Sequence, residues 1–337
     1  MRLVLTNISS LLMVDNEPGA FVSGTGMEQV RTLENAWLVI ENGLIGCHGE
    51  GEVVPFTDDE VIDCKGGMVM PAFCDSHSHL VFAGSREKEY EDKIRGLSYE
   101  EIAKRGGGIL NSAALLSETS EEELYKQTLP RILEIIRSGT GAVEIKSGYG
   151  LNTKDELKML RVIRRLKEET PLTIQSTFLG AHALPLEYKS EPDRYVDLVV
   201  KEMIPAVAED RLADYIDVFC DRGFFTVEQT ARILKAGAEF GLVPKIHANE
   251  LDYSGGIQVG VRYGARSVDH LEFVGEDELA ALKNSTTMPT ILPGASLFLG
   301  LTYAPARTMI EAGLPVALAS DYNPGSSPSG NMELIMS

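Results

Sequence analysis

The chain has 337 residues, 44% hydrophobic and 24% charged, the make-up of an ordinary globular protein of two domains or of one large barrel with an addition. Lys and Arg number 31 against 50 Asp and Glu, so the net charge is −19, a field that repels nucleic-acid phosphates and anionic lipids and excludes both as expected partners. Four cysteines (Cys47, Cys64, Cys74, Cys220) form no CxxC pair and are too sparse for a disulfide framework, so reduced thiols in a cytoplasmic protein are expected. No stretch reaches the ~18 apolar residues of a membrane span.

At the N-terminus, MRLVLTNISSLLMV is an apolar run broken by Thr6, Asn7, Ser9 and Ser10, with no small-residue cleavage site. It reads as an edge or hairpin strand, not a signal peptide. Residues 1–66 read as a small β domain. Within it, AWLVIENGLIGCHG sets two β-rich runs around Asn42-Gly43, a strong hairpin signal. Gly66-Gly67 then punctuates the chain, and residues 67–337 read as a second domain. There short apolar runs alternate with helical patterns, which points to parallel βα units. The runs are 68–80, 140–147, 172–182, 215–221, 243–250, 266–273, 286–292 and 315–321. Between the first two, SEEELYKQTLPRILEIIRSG opens on a Ser120/Glu123 capping box and ends at Gly139. Eight such runs predict a (β/α)8 TIM barrel, of the α/β class. An open doubly wound sheet is the alternative, but no GxGxxG opens a helix after a strand. The Gly-rich RGGGIL (105–110) lacks a P-loop Lys and Ser/Thr and reads as a flexible loop.

Five of the six histidines fall at or just past the ends of these runs, the face where barrels place their active sites. His77 and His79, two apart on the first strand, turn both imidazoles into the barrel. His247 on the fifth strand and Asp321 on the eighth converge with them if the barrel closes. Three imidazoles and a carboxylate suit one zinc or iron ion per chain. An ion there would activate a water as nucleophile. Asp321 could then both ligate and take the water's proton. His270, on the sixth strand, would shuttle a proton or polarise a carbonyl, or else orient a ligand. Asp75 reads as an orienting residue.

PAFCDSHSHLVFAGSR, KSGYGL, GAHALP, IHANE, VDHLEF and ASDYNPGS, in this order, resemble the amidohydrolase superfamily, most closely its imidazolonepropionase family. The resemblance spans essentially the whole chain. It implies hydrolysis of 4-imidazolone-5-propanoate to N-formimidoyl-L-glutamate in histidine degradation. It also implies metal ligands His77, His79, His247 and Asp321, with one Zn2+ or Fe3+. Substrate contacts carry over onto Arg86, Tyr149, His182, Glu250, Asn323, Gly325 and Ser326.

The chemistry of each agrees. The Arg86 guanidinium is a fork for the propionate. Tyr149 can donate to a carboxylate or ring oxygen. His182 would hydrogen-bond the ring carbonyl and stabilise oxyanion charge. Glu250 would accept from ring N–H groups. Asn323-Pro324-Gly325-Ser326 is turn chemistry whose backbone N–H groups could form a small anion nest. The resemblance favours one metal, so Lys146 reads as a structural cation. His48, in the β region, reads as a surface residue.

Family members run on past the eighth strand, with a last helix and a segment that completes the small β domain. Without them an exposed edge on residues 1–66 is expected. The rival readings are a guanine- or cytosine-type deaminase, in which Arg86 would have no carboxylate to hold, and an inactive truncated paralogue. A homodimer is a base-rate expectation.

Overall fold

The structure is a computed structural model that describes residues 1–15, 19, 21–97 and 107–337. It divides into two compact units, Met1–Ala72 and Phe73–Ser337.

The first unit holds β1 (Arg2–Leu12), β2 (Thr32–Glu41), β3 (Leu44–Glu50) and β4 (Glu60–Val69), in the order β3-β2-β1-β4. The β2–β3 hairpin turns on Asn42 (φ 53°) and Gly43 (φ 81°), the left-handed pair that matches strand twist. The N-terminal strand is not at the edge. β1 pairs antiparallel with β2 and parallel with β4, which buries Val4, Ile8 and Leu11. Nor does Gly66-Gly67 end the element. Asp63 pairs with Thr6 and Gly67 with Ile8, so β4 carries extra residues there. Lys65 (φ 53°) and Gly66 (φ 73°) absorb them as a bulge, so the glycines mark a kink inside the strand. The outer strands expose Leu44, Ile45, Val61, Ile62 and Met68. His48, expected at the surface, lies opposite Leu38 and is half-buried.

The second unit is a parallel barrel. Its staves are β5 (Phe73–Ser78), β6 (Thr140–Lys146), β7 (Thr173–Ala181) and β8 (Tyr215–Cys220), then a divided fifth, β9 (Val243–Pro244) and β10 (Ile246–Ala248). β11 (Ser267–His270), β12 (Met288–Ile291) and β13 (Ala317–Leu318) complete it. Neighbours pair in chain order. The ring closes where Ser78 bridges Tyr322. There Asp321 N–H donates to the His77 carbonyl, and His79 N–H to that of Tyr322, both at 2.9 Å. This closure excludes the open doubly wound sheet. The first predicted run was too long: residues up to Val69 belong to β4, and the barrel strand starts at Phe73. Lys245 splits the fifth stave, because its ammonium reaches back to the Ser76 carbonyl at 2.9 Å.

Helices link the staves: α1 (Glu87–Ile94), α2 (Ile109–Glu118), α3 (Glu121–Arg137), α4 (Thr153–Glu169), α5 (Val227–Glu239), α6 (Pro293–Leu299) and α7 (Met332–Met336) among them. Of the Gly-rich run 105–110, Arg105 and Gly106 lie outside the described residues, and Ile109 begins α2. Only half of the Ser120/Glu123 capping box forms. Ser120 accepts the Glu123 N–H, but the Glu123 carboxylate instead accepts from Gln127. The complete box lies at α5, between Thr226 and Gln229. α4 buries Met159, Val162, Ile163 and Leu166 at helical spacing, each such side chain contributing roughly 1.5–3 kcal/mol. No helix among the described residues is long and apolar enough to cross a membrane. All four cysteines are free.

Candidate metal centre

Period two on β5 turns His77 and His79 to the same side, and the ring brings β10 and the end of β13 against them. One ring nitrogen from each of His77, His79 and His247 falls within 4.8 Å of the others, and all three residues are buried. His79 Nε2 lies 3.3 Å from Nε2 of both His77 and His247. Asp321 Oδ1 stands 3.4 Å from His77 Nε2 and 3.5 Å from His79 Nε2.

The opposite ring atoms face carboxylates. His77 Nδ1 is 2.7 Å from Asp269 Oδ2, so its proton sits there and its Nε2 offers a lone pair. His247 Nδ1 is 3.0 Å from Asp217 Oδ2, off the line of a good hydrogen bond, while the His247 N–H donates to Asp217 Oδ1 at 3.1 Å. Three ring nitrogens and a carboxylate oxygen thus converge on one point. Asp321 Oδ1 and His79 Nδ1 are buried without a hydrogen-bond partner among the described residues. Such a set is repulsive as it stands and fits a cation of the zinc or iron kind. Burial and the neighbouring cations hold His77 and His79 well below the usual histidine range, so both stay neutral, as ligands must.

Beneath the histidines lies a buried charge network. Lys146 Nζ is 2.8 Å from Asp217 Oδ2, 3.0 Å from Glu144 Oε1 and 3.8 Å from Asp269 Oδ2. Burial alone would lower Lys146, but these carboxylates outweigh it and raise it. Burial would likewise raise Asp217, yet His247 and Lys146 hold it well below the carboxylate range. Asp75 accepts from the Ser320 N–H at 3.0 Å and from its hydroxyl, and so fixes the turn that presents Asp321. The backbone there is left-handed without glycine: φ is 58° at Asn249, 88° at His270, 70° at Leu271 and 54° at Asp321. Such strain collects at functional sites.

The metal end opens into a cavity of about 560 Å³. Arg86, Tyr149, His182, Glu250, His270, Asn323, Gly325 and Ser326 all line it. Arg86 caps α1, and its Nη2 donates to Glu89 Oε2 at 2.5 Å. Gly325 makes room for it: a Cβ on Gly325 would fall 1.9 Å from Arg86 Nη1. His270 Nδ1 lies 3.6 Å from Glu250 Oε2. Burial, together with Glu272 and Asp321, pushes Glu250 well above the usual range. Burial also pushes Asp321 up to about 8, against the hydrogen bonds of Asn323 and Ser326.

Two expectations change. The Gly325 and Ser326 N–H groups do not form an open anion nest, since both donate to Asn323 Oδ1, at 2.8 and 2.7 Å. The turn is an Asx turn, and Ser326 serves by donating its hydroxyl to Asp321 Oδ2 at 3.2 Å. His182, stacked at 5.0 Å on His79, places Nδ1 3.0 Å from the Gly148 carbonyl. Burial lowers it to about 3, so it is neutral, and the N–H on Gly148 leaves Nε2 an acceptor. This tautomer suits a substrate N–H rather than an oxyanion.

Sequence reasoning missed Asp217, Asp269 and Glu156. The first two interrupt apolar strands, and a carboxylate inside such a run was the available signal. Glu156, on α4, accepts the N–H groups of Gly148, Gly150 and Leu151 and so shapes the loop that carries Tyr149. Burial pushes it up to about 7, although those donors and Ser147 pull downward. Between about pH 4.5 and 7 the folded chain therefore keeps a proton that the unfolded chain has lost. Stability falls as pH rises through that window, by on the order of 3 kcal/mol from this group. A Glu156→Gln variant is expected to flatten that part of the stability-against-pH curve in urea unfolding; an unchanged slope would refute the assignment.

This closed barrel, with imidazoles gathered at the C-terminal ends of its staves, defines the class: a hydrolase of the amidohydrolase type. Solved structures with the same fold include E. coli guanine deaminase (TM-score 0.72, 13% identity, 100% of this chain and 76% of that one). A triazine hydrolase variant aligns at TM-score 0.68 with 15% identity, over 98% of this chain and 73% of its own. No family model matches the sequence. Among curated proteins, imidazolonepropionase of Christiangramia forsetii is 54% identical over 100% of this chain and 82% of its own length. That of Flavobacterium johnsoniae is 53% identical over the same shares, and that of Caldanaerobacter subterraneus 42% identical over 99% and 80%. The chain belongs to the imidazolonepropionase family.

Proposed function

We propose that the chain hydrolyses the ring amide of 4-imidazolone-5-propanoate to give N-formimidoyl-L-glutamate, in the cytoplasm. The observation behind this reading is that a cavity wall carrying a guanidinium suited to a carboxylate also carries the buried His77, His79 and His247 group, with Asp321 beside it. His77, His79, His247 and Asp321 would hold one Zn2+ or Fe3+, since imidazole and carboxylate accept either. When bound, the ion supplies Lewis acidity and makes a water nucleophilic near neutral pH.

This chain's residues do the rest. Arg86, held against Gly325, forks the propionate, and Tyr149 closes on it from the loop after β6. His182 Nε2 and Glu250 position the ring by its N–H groups. Asp321, its Oδ2 held by the Ser326 hydroxyl, takes the proton of the attacking water. That proton passes to the ring nitrogen as the C–N bond breaks, with His270, its Nδ1 facing Glu250, as the relay. A nucleobase deaminase shares this fold but leaves Arg86 without a partner. The relatives named imidazolonepropionase, up to 54% identical, also support the amide reading.

The test is loss of imidazolone propionate on addition of the metal-analysed protein. Arg86→Ala is expected to raise KM at least about tenfold, the cost of a lost charge-assisted fork. An unchanged KM for the propionate substrate would sink the reading.

A further inference from the structure

We infer that Lys93 is a second cation of the carboxylate subsite, and that it supplies that subsite's net positive charge for the anionic substrate. The inference rests on the proposed substrate and deepens it.

Arg86, Glu89 and Lys93 stand three and four residues apart along α1, so they share one helix face, and all three line the cavity. The first two cancel. Arg86 Nη2 is 2.5 Å from Glu89 Oε2, and Glu89 is pinned from its other side by the Gly108 N–H, 3.0 Å from Oε1. Burial favours a neutral Glu89, but Arg86 outweighs it and keeps the carboxylate ionised. Arg86 therefore offers geometry for a carboxylate but little net charge. Apart from the ion the centre would hold, the inner wall adds no lysine or arginine among the described residues: His79, His182 and His270 line it beside the acids Glu250 and Asp321. The protein as a whole, at −19, repels an anion.

Lys93 is the cation of this wall without a carboxylate against it among the described residues. Its contacts are the Gly325 carbonyl at 3.5 Å, long for a hydrogen bond, and the Phe298 ring at 5.0 Å. Its ammonium thus keeps donors for a ligand. Gly325 ties it to Arg86, because the guanidinium packs where a Gly325 Cβ would stand while the ammonium faces the carbonyl of the same residue. One carboxylate can meet both. Burial and Arg86 push Lys93 down to about 8, which leaves it mostly charged at neutral pH.

The experiment compares wild type, Lys93→Met and Lys93→Arg on 4-imidazolone-5-propanoate and on its uncharged propionamide analogue, with melting temperatures alongside. Lys93→Met is expected to raise KM for the propionate about tenfold or more with kcat within about twofold. Lys93→Arg should restore most of the loss, and the propionamide should not distinguish the three proteins. Equal KM in wild type and Lys93→Met overturns the inference. So does a fall in kcat together with melting temperature that Lys93→Arg does not rescue, since that marks a structural lysine. If wild type fails to hydrolyse the propionate at all, it is the proposed function that fails.

Discussion

His247→Ala is expected to yield a folded chain that no longer holds its ion, with hydrolysis reduced ~10³-fold or more. The reason lies in the electrostatics of the centre. His79 Nε2 stands 3.3 Å from the nitrogens on either side, and a single imidazole proton can bridge only one of those two gaps. In the absence of an ion, the truncation relieves crowding of the nitrogens but leaves a cavity and takes a partner from Asp217, so the variant is destabilised by a fixed amount of about 1–3 kcal/mol that chelator does not change. In the ion's presence the variant forfeits the linkage energy of a bound ligand, about 3–4 kcal/mol at 100–1,000 times the dissociation constant. Chelation should accordingly lower the melting temperature of the wild type and leave that of His247→Ala where it was. Metal analysis that finds one ion per chain in the variant, with the same response to chelator, would show that the histidine is not a ligand.

The second large effect is expected below the centre. Lys146→Met keeps the volume but removes the cation that Glu144, Asp217 and Asp269 share. Glu144 and Asp217 then lose their lysine, while Asp269 keeps Lys245 at 3.5 Å, and breaking a buried ion pair in this way typically costs about 3–5 kcal/mol. Asp217 and Asp269 also aim His247 and His77, so their displacement should weaken metal affinity ~10–100-fold. Urea unfolding and a metal titration read the two losses separately. A variant as stable as the wild type would mean that the network carries no such strain.

What was readable beforehand divides along physical lines. The histidines could be found because strand periodicity and barrel closure are global rules: His77 and His79 share a face by spacing, and His247 joins them by topology. The orienting carboxylates obey no such rule. Asp217 and Asp269 look like polar interruptions until the ring shows that each meets a histidine, Asp217 that of the next stave and Asp269 that of the first stave across the barrel. Lys93 was hidden differently. EKEYEDKI is so charged that it reads as a solvated helix, and only the packing of α1 over the cavity turns one face inward. The turn at 323–326 was found as a turn, but whether its N–H groups were free depended on one rotamer of Asn323. The Gly66-Gly67 pair has a local meaning, a kink, that is the same inside a strand as between domains.

The closure of the ring at Ser78 and Tyr322 has a consequence for the order of events during synthesis. The candidate ligands lie on the first, fifth and last staves, with Asp321 244 residues after His77. A nascent chain exposes two imidazoles early, acquires the third only after more than half of the barrel has emerged, and gains the carboxylate last. No shorter intermediate possesses the complete set, so tight loading awaits the joining of the two ends. An ion held there would act as a late clasp. It contributes nothing to the early, local steps of folding and strengthens only the finished circle, which makes its uptake a reporter of the slowest, most non-local contact in the molecule.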